Sequence, residues 1–305
     1  MPTEFLGIDL GGNSIKAGLV SSDGSISNLR KERTEAKKGF EHVLNTLLEI
    51  IANYRKNEEI RGIGLSLPGA IDSEKGICIF SPNLNWHNIR IQNEIEKIID
   101  LPLKIINDAD AACLGEKFLL CEDSTDLLML TFGTGIGFSY LKNGEIFFGS
   151  KGFSGEAGHM TVRGGLDRRC TCGRHGCWES KFSKRGILEL YSFNLGQQSA
   201  TANYSINSIM KDASRGESVA IKTVTELQEI LTDGLANLIN ILYPELIILG
   251  GGIMEAGSDF FLPELEKKVK KIVYPPFQEF KIIKAKAGNN AGIIGAASLF
   301  FNKDK

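Results

Sequence analysis

Three cysteines near the middle of the chain have the spacing of a metal-binding loop. Cys170, Cys172 and Cys177 lie within eight positions, and His159 precedes the first of them by eleven. Thiolates and an imidazole suit tetrahedral Zn²⁺, and four protein ligands leave no position open for a reacting water. The spacing therefore predicts a structural zinc site. On the residues alone, His175 is a rival ligand, and a chance cluster of reduced cysteines is the competing interpretation.

A carboxylate suited to general-base chemistry follows an apolar run in the first half of the chain. Asp108 belongs to the motif NDAD at residues 107–110, directly after the apolar residues 101–106. This pattern predicts a strand that ends where a helix begins, a position suited to a cleft. An aspartate there could act as a general base. Read on its own, helix N-capping by Asp108 is the stronger interpretation.

Three glycine turns could bring backbone N–H groups close to an anion, because no Cβ blocks the approach. They are DLGGNSIK at residues 9–16, GTGIG at residues 133–137 and GGG at residues 250–252. A single glycine hairpin is usually only a tight turn, but the recurrence favours phosphate binding. The GxxxxGK loop and the strand-linked GxGxxG motif are both missing from the sequence, so the common nucleotide motifs are excluded.

The elements that must position these residues occur in a repeated order. An apolar strand at Phe5–Leu10, a glycine turn and a second strand are echoed by Leu127–Phe132, its glycine turn and a strand from residue 136. The echo predicts two related α/β lobes that face each other across a cleft. We expect one lobe at residues 1–108, completed by a C-terminal helix at about 290–305, and a larger lobe with the zinc loop at 109–289.

Apolar spacing predicts the remaining main elements. The expected helices lie at residues 40–54, 219–242 and 291–301, and the expected buried strands at 60–67 and 246–249. Residues 197–204 are expected to form a surface loop.

The composition is that of an ordinary globular protein. Charged residues make up 24% of the 305, hydrophobic residues 42%, and the formal net charge is −2. This balance gives no general attraction to nucleic acid or an anionic membrane. No apolar run reaches the roughly 18 residues of a membrane helix, and the N-terminus lacks a secretory signal. We therefore expect a cytoplasmic protein whose six cysteines stay reduced.

Six motifs in sequence order carry a family resemblance. DLGGNSIK, SLPGAID, NDADAACLGE, LTFGTGIG, SGEAGH and CTCGRHGCWE resemble the ROK family of sugar kinases and repressors. The resemblance implies an actin-like, hexokinase-type ATPase fold that binds ATP and Mg²⁺ and phosphorylates a sugar. Two positions depart from the family pattern, Asn13 in place of threonine and Asp110 in place of asparagine. An extra carboxylate at Asp110 is expected to raise the pKa of Asp108.

The resemblance also implies roles for individual residues. Asp108 becomes the catalytic base, and His159 rather than His175 becomes the zinc ligand. The sugar contacts implied are Gly69, Asn83, Asn107, Glu156, His159 and Glu179, with the last three holding hydroxyls at the C1 to C3 end. The ATP contacts implied are Asp9, Gly11, Gly12, Asn13, Lys16, Gly133, Thr134, Gly135, Gly137, Gly251 and Gly252, with Asp9 near the metal ion. Read alone, Glu179 could equally be a helix-start glutamate.

The expected function is phosphorylation of glucose at its 6-hydroxyl, with ATP and sugar as the partners and a homodimer or higher homo-oligomer implied by the resemblance. N-acetylglucosamine, N-acetylmannosamine and fructose are alternative substrates. A sugar-responsive repressor is disfavoured, because the first strand near Phe5 leaves no room for a helix-turn-helix domain before it. A zinc hydrolase is disfavoured, because the metal ligands look complete.

Overall fold

The computed structural model describes residues 4–56, 59–120, 124–149, 154–197 and 204–301. These residues divide into two compact units. Of the described residues, unit 1 takes 4–56, 59–120, 148–149, 154 and 289–301, and unit 2 takes 124–147, 155–197 and 204–288. Most of the loop expected at residues 197–204 lies outside the described residues. Within the described part, no helix has the length and hydrophobicity needed to cross a membrane.

The described residues form both strands and helices. The strands are β1 (Phe5–Leu10), β2 (Ser14–Val20), β3 (Ile26–Arg33), β4 (Ile63–Leu67), β5 (Ala70–Asp72), β6 (Ile77–Ser81), β7 (Trp86–Ile89), β8 (Leu103–Asn107), β9 (Leu127–Phe132), β10 (Ile136–Lys142), β11 (Glu145–Ile146), β12 (Leu246–Gly250) and β13 (Lys281–Lys284). The helices are α1 (Phe40–Arg55), α2 (Ile91–Glu96), α3 (Asp108–Leu120), α4 (Trp178–Phe182), α5 (Lys184–Asn194), α6 (Ile206–Ser214), α7 (Ser218–Leu242), α8 (Gly252–Phe261), α9 (Leu265–Lys270) and α10 (Ala291–Ser298).

The two units contain sheets of the same design. The unit 1 sheet has the order β3-β2-β1-β4-β8, and the unit 2 sheet has the order β11-β10-β9-β12-β13. In unit 1, β1 pairs antiparallel with β2 and parallel with β4, and β4 pairs parallel with β8. In unit 2, β9 pairs antiparallel with β10 and parallel with β12, and β12 pairs parallel with β13. The repeat predicted from the sequence is confirmed. A separate small sheet of β5, β6 and β7 belongs to unit 1.

The central parallel strands are covered on both faces, as their apolar sequences require. Every residue of β4 and of β12 is buried. On one face of the unit 1 sheet, α10 packs so closely that a Cβ on Gly7 would lie 2.2 Å from the Ile293 carbonyl oxygen. A Cβ on Gly64 would lie 2.0 Å from the Ala296 carbonyl oxygen. Glycines in β1 and β4 therefore allow α10 to complete unit 1.

The helix that starts at Asp108 also belongs to unit 1, which extends beyond the boundary expected after residue 108. The reason is its close packing on α10: a Cβ on Gly115 would lie 2.2 Å from the Ala291 carbonyl oxygen, and one on Gly295 would meet Ala111. The terminal helix itself ends at Ser298, short of the expected 301 to 305. Residues 302–305 lie outside the described part.

The parallel strands bring the predicted functional segments to common edges. In unit 1, the carboxyl ends of β1, β4 and β8 carry Asp9, Ser66 and Asn107. In unit 2, the glycine runs at Gly133 and Gly251 follow β9 and β12. Such edges are the usual ligand-binding edges of parallel sheets.

Candidate active site and metal cluster

Two carboxylates lie at the carboxyl edge of the unit 1 sheet. The Ser66 hydroxyl, which is fully buried, donates a hydrogen bond to Asp9 Oδ1 at 3.1 Å. The Lys16 ammonium lies 3.7 Å from Asp9 Oδ2 and donates to the Asn289 carbonyl oxygen at 2.8 Å. Burial raises the pKa of Asp9, while the positive charge of Lys16 opposes that rise. Ser66 and Lys16 thus hold the Asp9 carboxylate at a fixed position.

The second carboxylate, Asp108, has the properties of a general base. Burial raises its pKa to about 6, and the negative charge of Asp9 is the second cause. Asp9 was not expected as this neighbouring charge, and the effect expected of Asp110 stays a prediction. The backbone N–H of Ala109 donates to Asp108 Oδ1 at 2.9 Å and limits the shift. A carboxylate with this pKa is ionised at pH 7 and is more basic than an exposed aspartate.

The N-cap of α3 is Asn107, so the interpretation of Asp108 as the capping residue is wrong. Asn107 Oδ1 accepts hydrogen bonds from the N–H groups of Ala109 at 2.8 Å and Asp110 at 3.2 Å. Its Nδ2 donates to the Gly69 carbonyl oxygen at 2.9 Å. Gly69 itself needs to be glycine, because its φ is +110° and a Cβ would lie 2.2 Å from the Phe80 carbonyl oxygen. Asn107 therefore fixes both Asp108 and the loop after β4.

The first glycine turn is held by a residue that the sequence reasoning missed. The Thr34 hydroxyl donates to the Gly11 carbonyl oxygen at 2.6 Å, and the Thr34 N–H donates to the Asn13 carbonyl oxygen at 3.2 Å. Gly11 N–H closes the turn on the Ser14 carbonyl oxygen at 2.9 Å. Thr34 is fully buried, while Asn13 is exposed at the tip. Ser66 has a local signal, a polar residue inside an apolar strand sequence, whereas Thr34 follows the polar end of β3 and has none.

The second and third glycine runs meet at the edge of the unit 2 sheet. Gly251 has a φ of +86°, and a Cβ there would lie 2.4 Å from the Phe132 carbonyl oxygen. At Gly133 and Gly252, by contrast, an added Cβ would meet nothing within 4 Å. This leaves bare backbone beside open space, at a turn and at the first residue of α8, which suits an anionic ligand. Gly137 is not part of the turn, because it pairs with Thr131 inside β10.

The second turn is fixed on both sides. The Gly133 carbonyl oxygen accepts a hydrogen bond from Lys184 N–H at 2.8 Å, and Glu179 Oε2 accepts one from Ile136 N–H at 3.1 Å. Thr134 is exposed at the tip. These contacts give the turn a defined backbone conformation. Like the first turn, it is held by hydrogen bonds to its backbone groups.

The predicted metal ligands come together in unit 2. One ligand atom from each of His159, Cys170, Cys172 and Cys177 lies within 4.8 Å of the others. His159 Nδ1 is 3.5 Å from Cys170 Sγ, and the sulfurs of Cys172 and Cys177 are 3.6 Å apart. A tetrahedral zinc with bonds of about 2.0 to 2.3 Å needs ligand atoms about 3.5 to 3.8 Å apart. The donor set and its spacing therefore fit zinc. His175 is engaged elsewhere, with Asp167 at 3.3 Å.

The carboxylates beside this cluster differ in environment. Glu156 is exposed, and its Oε2 lies 3.7 Å from His159 Nε2, whereas His159 Nδ1 lies against Cys170 Sγ. Glu179 is partly buried in α4, immediately after Trp178. The imidazole can thus face the sulfur cluster with Nδ1 while its other nitrogen faces a carboxylate.

Comparison with known proteins agrees with this geometry. The model of the ROK family matches residues 5–303. The chain belongs to the ROK family. Its fold is therefore the actin-like, two-lobed ATPase fold of ROK proteins, as expected from the sequence.

Three ROK relatives show the range of the family. A glucokinase of Thermotoga maritima is 33% identical over 97% of this chain and 96% of its own length. A xylose repressor of Caldicellulosiruptor bescii is 30% identical over 97% of this chain and 77% of its own. A solved ROK glucokinase of Streptomyces griseus, in complex with glucose and AMPPNP, has a TM-score of 0.81 at 26% identity, covering 97% of this chain and 98% of that one. Both sugar kinases and repressors therefore share this ROK body.

Proposed function

We propose that the protein is an ATP-dependent hexose kinase that phosphorylates the 6-hydroxyl, with glucose as its preferred substrate. The observation that carries the proposal is Asp108, a carboxylate with a pKa of about 6 at the carboxyl edge of a parallel sheet, beside a second fixed carboxylate, Asp9. The glucokinase relatives from Thermotoga and Streptomyces support the same activity. ATP and free hexose would be met in the cytoplasm, the compartment we expect.

In this proposal, Asp108 and Asp9 of unit 1 act on the proton and the metal ion. Asp108 accepts the proton of the attacking hydroxyl, and its raised pKa makes that transfer more favourable. Asp9 would hold Mg²⁺, which neutralises phosphate charge when it is bound. The backbone N–H groups of the first turn and of the second turn would bind phosphate oxygens, with Lys16 close to Asp9.

Sugar recognition is assigned to residues whose chemistry suits hydroxyl groups. Glu156, His159 and Glu179 are proposed to hold the C1 to C3 end, and Gly69, Asn83 and Asn107 to line the remainder. A carboxylate accepts and an imidazole N–H donates, so together they fix hydroxyl orientation. Space near C2 would decide between glucose and an N-acylated hexosamine.

The metal cluster is proposed to hold one structural zinc through His159, Cys170, Cys172 and Cys177. Four protein ligands complete a tetrahedron, so this zinc would stabilise the loop and take no part in the reaction. Through His159 it would also orient the Nε2 nitrogen toward a sugar hydroxyl.

A sugar-responsive repressor is the second candidate, because the Caldicellulosiruptor xylose repressor is nearly as similar as the glucokinases. A sugar kinase consumes ATP when it binds its sugar, whereas a repressor does not. A repressor needs to bind a sugar but does not need a base at Asp108.

The test is ATP-dependent ADP release with glucose, fructose, N-acetylglucosamine and N-acetylmannosamine, beside the Asp108→Asn variant. The proposal expects turnover with glucose highest and loss of turnover in Asp108→Asn with sugar binding retained. Sugar binding without ADP release in the wild-type protein would favour the repressor.

A further inference from the structure

Glu179 connects the metal loop to the second glycine turn within unit 2. Its Oε2 accepts a hydrogen bond from the backbone N–H of Ile136 at 3.1 Å, at the point where the turn enters β10. Its Oε1 accepts one from the Thr171 hydroxyl at 3.3 Å. Thr171 follows the metal-cluster residue Cys170 directly. The Glu179 carboxylate therefore contacts both the second glycine turn and the metal loop.

The turn is shaped around this carboxylate. A Cβ built on Gly135 would lie 2.5 Å from Glu179 Oε2, so any side chain there would displace the carboxylate. Gly158, next to His159, packs against Ile136 and Glu179. A Cβ built on Gly158 would lie 3.1 Å from the Ile136 Cβ and 3.5 Å from the Glu179 Cβ. The glycines at 135 and 158 thus allow the carboxylate, the turn and the metal loop to approach closely.

The position of Glu179 is itself set by the metal loop. Cys177 is the N-cap residue of α4, the short helix that carries Glu179, and it forms a β-bridge with Thr161. The Trp178 N–H donates to the Met160 carbonyl oxygen at 2.9 Å. Any change in the cysteine cluster that moves Cys177 would therefore move the first turn of α4.

We propose that Glu179 is a positioning residue for the turn Gly133 to Ile136, and that the metal loop, acting through Glu179, sets the affinity of this turn for a nucleoside triphosphate. The inference rests on the proposed kinase function and adds a second role to a residue expected to contact sugar. A turn donates well to phosphate only when its N–H groups are held in place before the ligand arrives. The sugar is not needed for this effect, so nucleotide binding without sugar reports on it alone.

The experiment measures the Kd of AMPPNP with Mg²⁺ by calorimetry in the absence of sugar. Glu179→Ala removes the acceptor of the Ile136 N–H and should weaken binding by about tenfold. Glu179→Gln keeps a carbonyl acceptor and should stay within about threefold of wild type. Thr171→Val, at an exposed position that tolerates the change, should weaken binding by about two- to fivefold and raise the KM for ATP with little change in kcat.

The matched control is Glu189→Gln in α5, a carboxylate of the same unit that pairs with Arg168 and Arg185. Its loss should leave the AMPPNP Kd unchanged.

A double-mutant cycle tests the contact between Gly135 and Glu179. Gly135→Ala should weaken AMPPNP binding by about tenfold or more in the wild type, but by less than about threefold in Glu179→Ala, where the obstructing carboxylate is gone.

The remaining measurement removes the metal with a chelator under conditions where circular dichroism shows retained structure, and AMPPNP binding should weaken to the level of Glu179→Ala. Unchanged AMPPNP affinity in folded Glu179→Ala and Thr171→Val, or additive effects in the cycle, would overturn this inference and leave the kinase proposal standing. A wild-type protein that turns over no ATP with any sugar and binds no AMPPNP would overturn the kinase proposal itself.

Discussion

Gly12 of the first glycine turn lies directly against Asn83. A Cβ built on Gly12 would lie 3.1 Å from the Asn83 Cβ and 3.3 Å from the Asn83 carbonyl oxygen. A turn proposed to bind phosphate and a residue proposed to line the sugar are therefore in contact inside unit 1. Phosphoryl transfer needs the acceptor hydroxyl and the phosphate to be adjacent, and the contact between Gly12 and Asn83 agrees with the roles proposed for them.

The first prediction follows from this contact. Gly12→Ala should push Asn83 away, lower the free energy of unfolding by about 1 to 2 kcal/mol, and raise the KM for both ATP and sugar. Gly252→Ala is the steric control, since its Cβ would meet nothing within 4 Å and its unfolding free energy should not fall. Thermal melts and steady-state kinetics measure both. An unchanged sugar KM in Gly12→Ala would contradict the proposed role of Asn83.

The second prediction separates activity from stability at Asp108. Because its pKa is raised to about 6, the folded protein holds the Asp108 proton more tightly than the unfolded chain does. Stability from this group is therefore lost as pH rises from about 4 to 6, and the buried charge costs about 2 to 3 kcal/mol at pH 8. Asp108→Asn should melt at a higher temperature than wild type at pH 8, with the difference vanishing near pH 4.

The same variant should lose activity by about two to four orders of magnitude in kcat. Sugar affinity, measured by calorimetry, should change little. A variant that is both less stable at pH 8 and nearly as active as wild type would refute the base assignment.

The sequence predicted those strands and helices that are marked by a local pattern of apolar residues and glycines. The bounds of β1 and β9 follow from apolar runs ended by glycine turns, and α7 follows from its helical spacing. The repeated order of strands also predicted the matching topology of the two sheets. These features can be predicted because they depend on residues that are close together in the sequence.

Other parts of the candidate site depend on contacts between distant residues. Thr34 reaches Gly11 across 23 positions, and Ser66 reaches Asp9 across 57. No local spacing marks such a pair, because register between strands decides it. The assignment of α3 to unit 1 likewise depends on its packing against α10, a helix at the other end of the sequence. The hydrogen bond from Ile136 to Glu179 joins β10 to α4 across 43 positions, and no local spacing marks it either.

The third prediction concerns pH. Asp108 acts as a base only when ionised, so kcat/KM for the sugar should be level from pH 7 to 8 and fall as pH drops through about 6. The residual rate of Asp108→Asn should lack this inflection. A wild-type profile that stays level down to pH 5 would show that another group takes the proton.

The fourth prediction concerns the metal cluster. Metal analysis should find about one zinc per chain, and Cys172→Ser should lose that zinc together with thermal stability, because metal binding is coupled to folding. Cys78→Ser is a suitable comparison, since Cys78 is a buried free thiol outside the cluster and its loss should leave the zinc content unchanged. Zinc retained in full by Cys172→Ser would contradict the ligand assignment.

The proposed reaction transfers a phosphoryl group from ATP to the 6-hydroxyl of a hexose. The most direct test is phosphorus–proton correlated NMR of the product formed from ATP and glucose by the wild-type protein. We predict a phosphorus coupled to the two protons on C6, formed in step with ADP and missing with Asp108→Asn. A phosphorus coupled to the proton on C1, or no ATP-dependent product with any hexose tested, would contradict 6-phosphorylation by this protein.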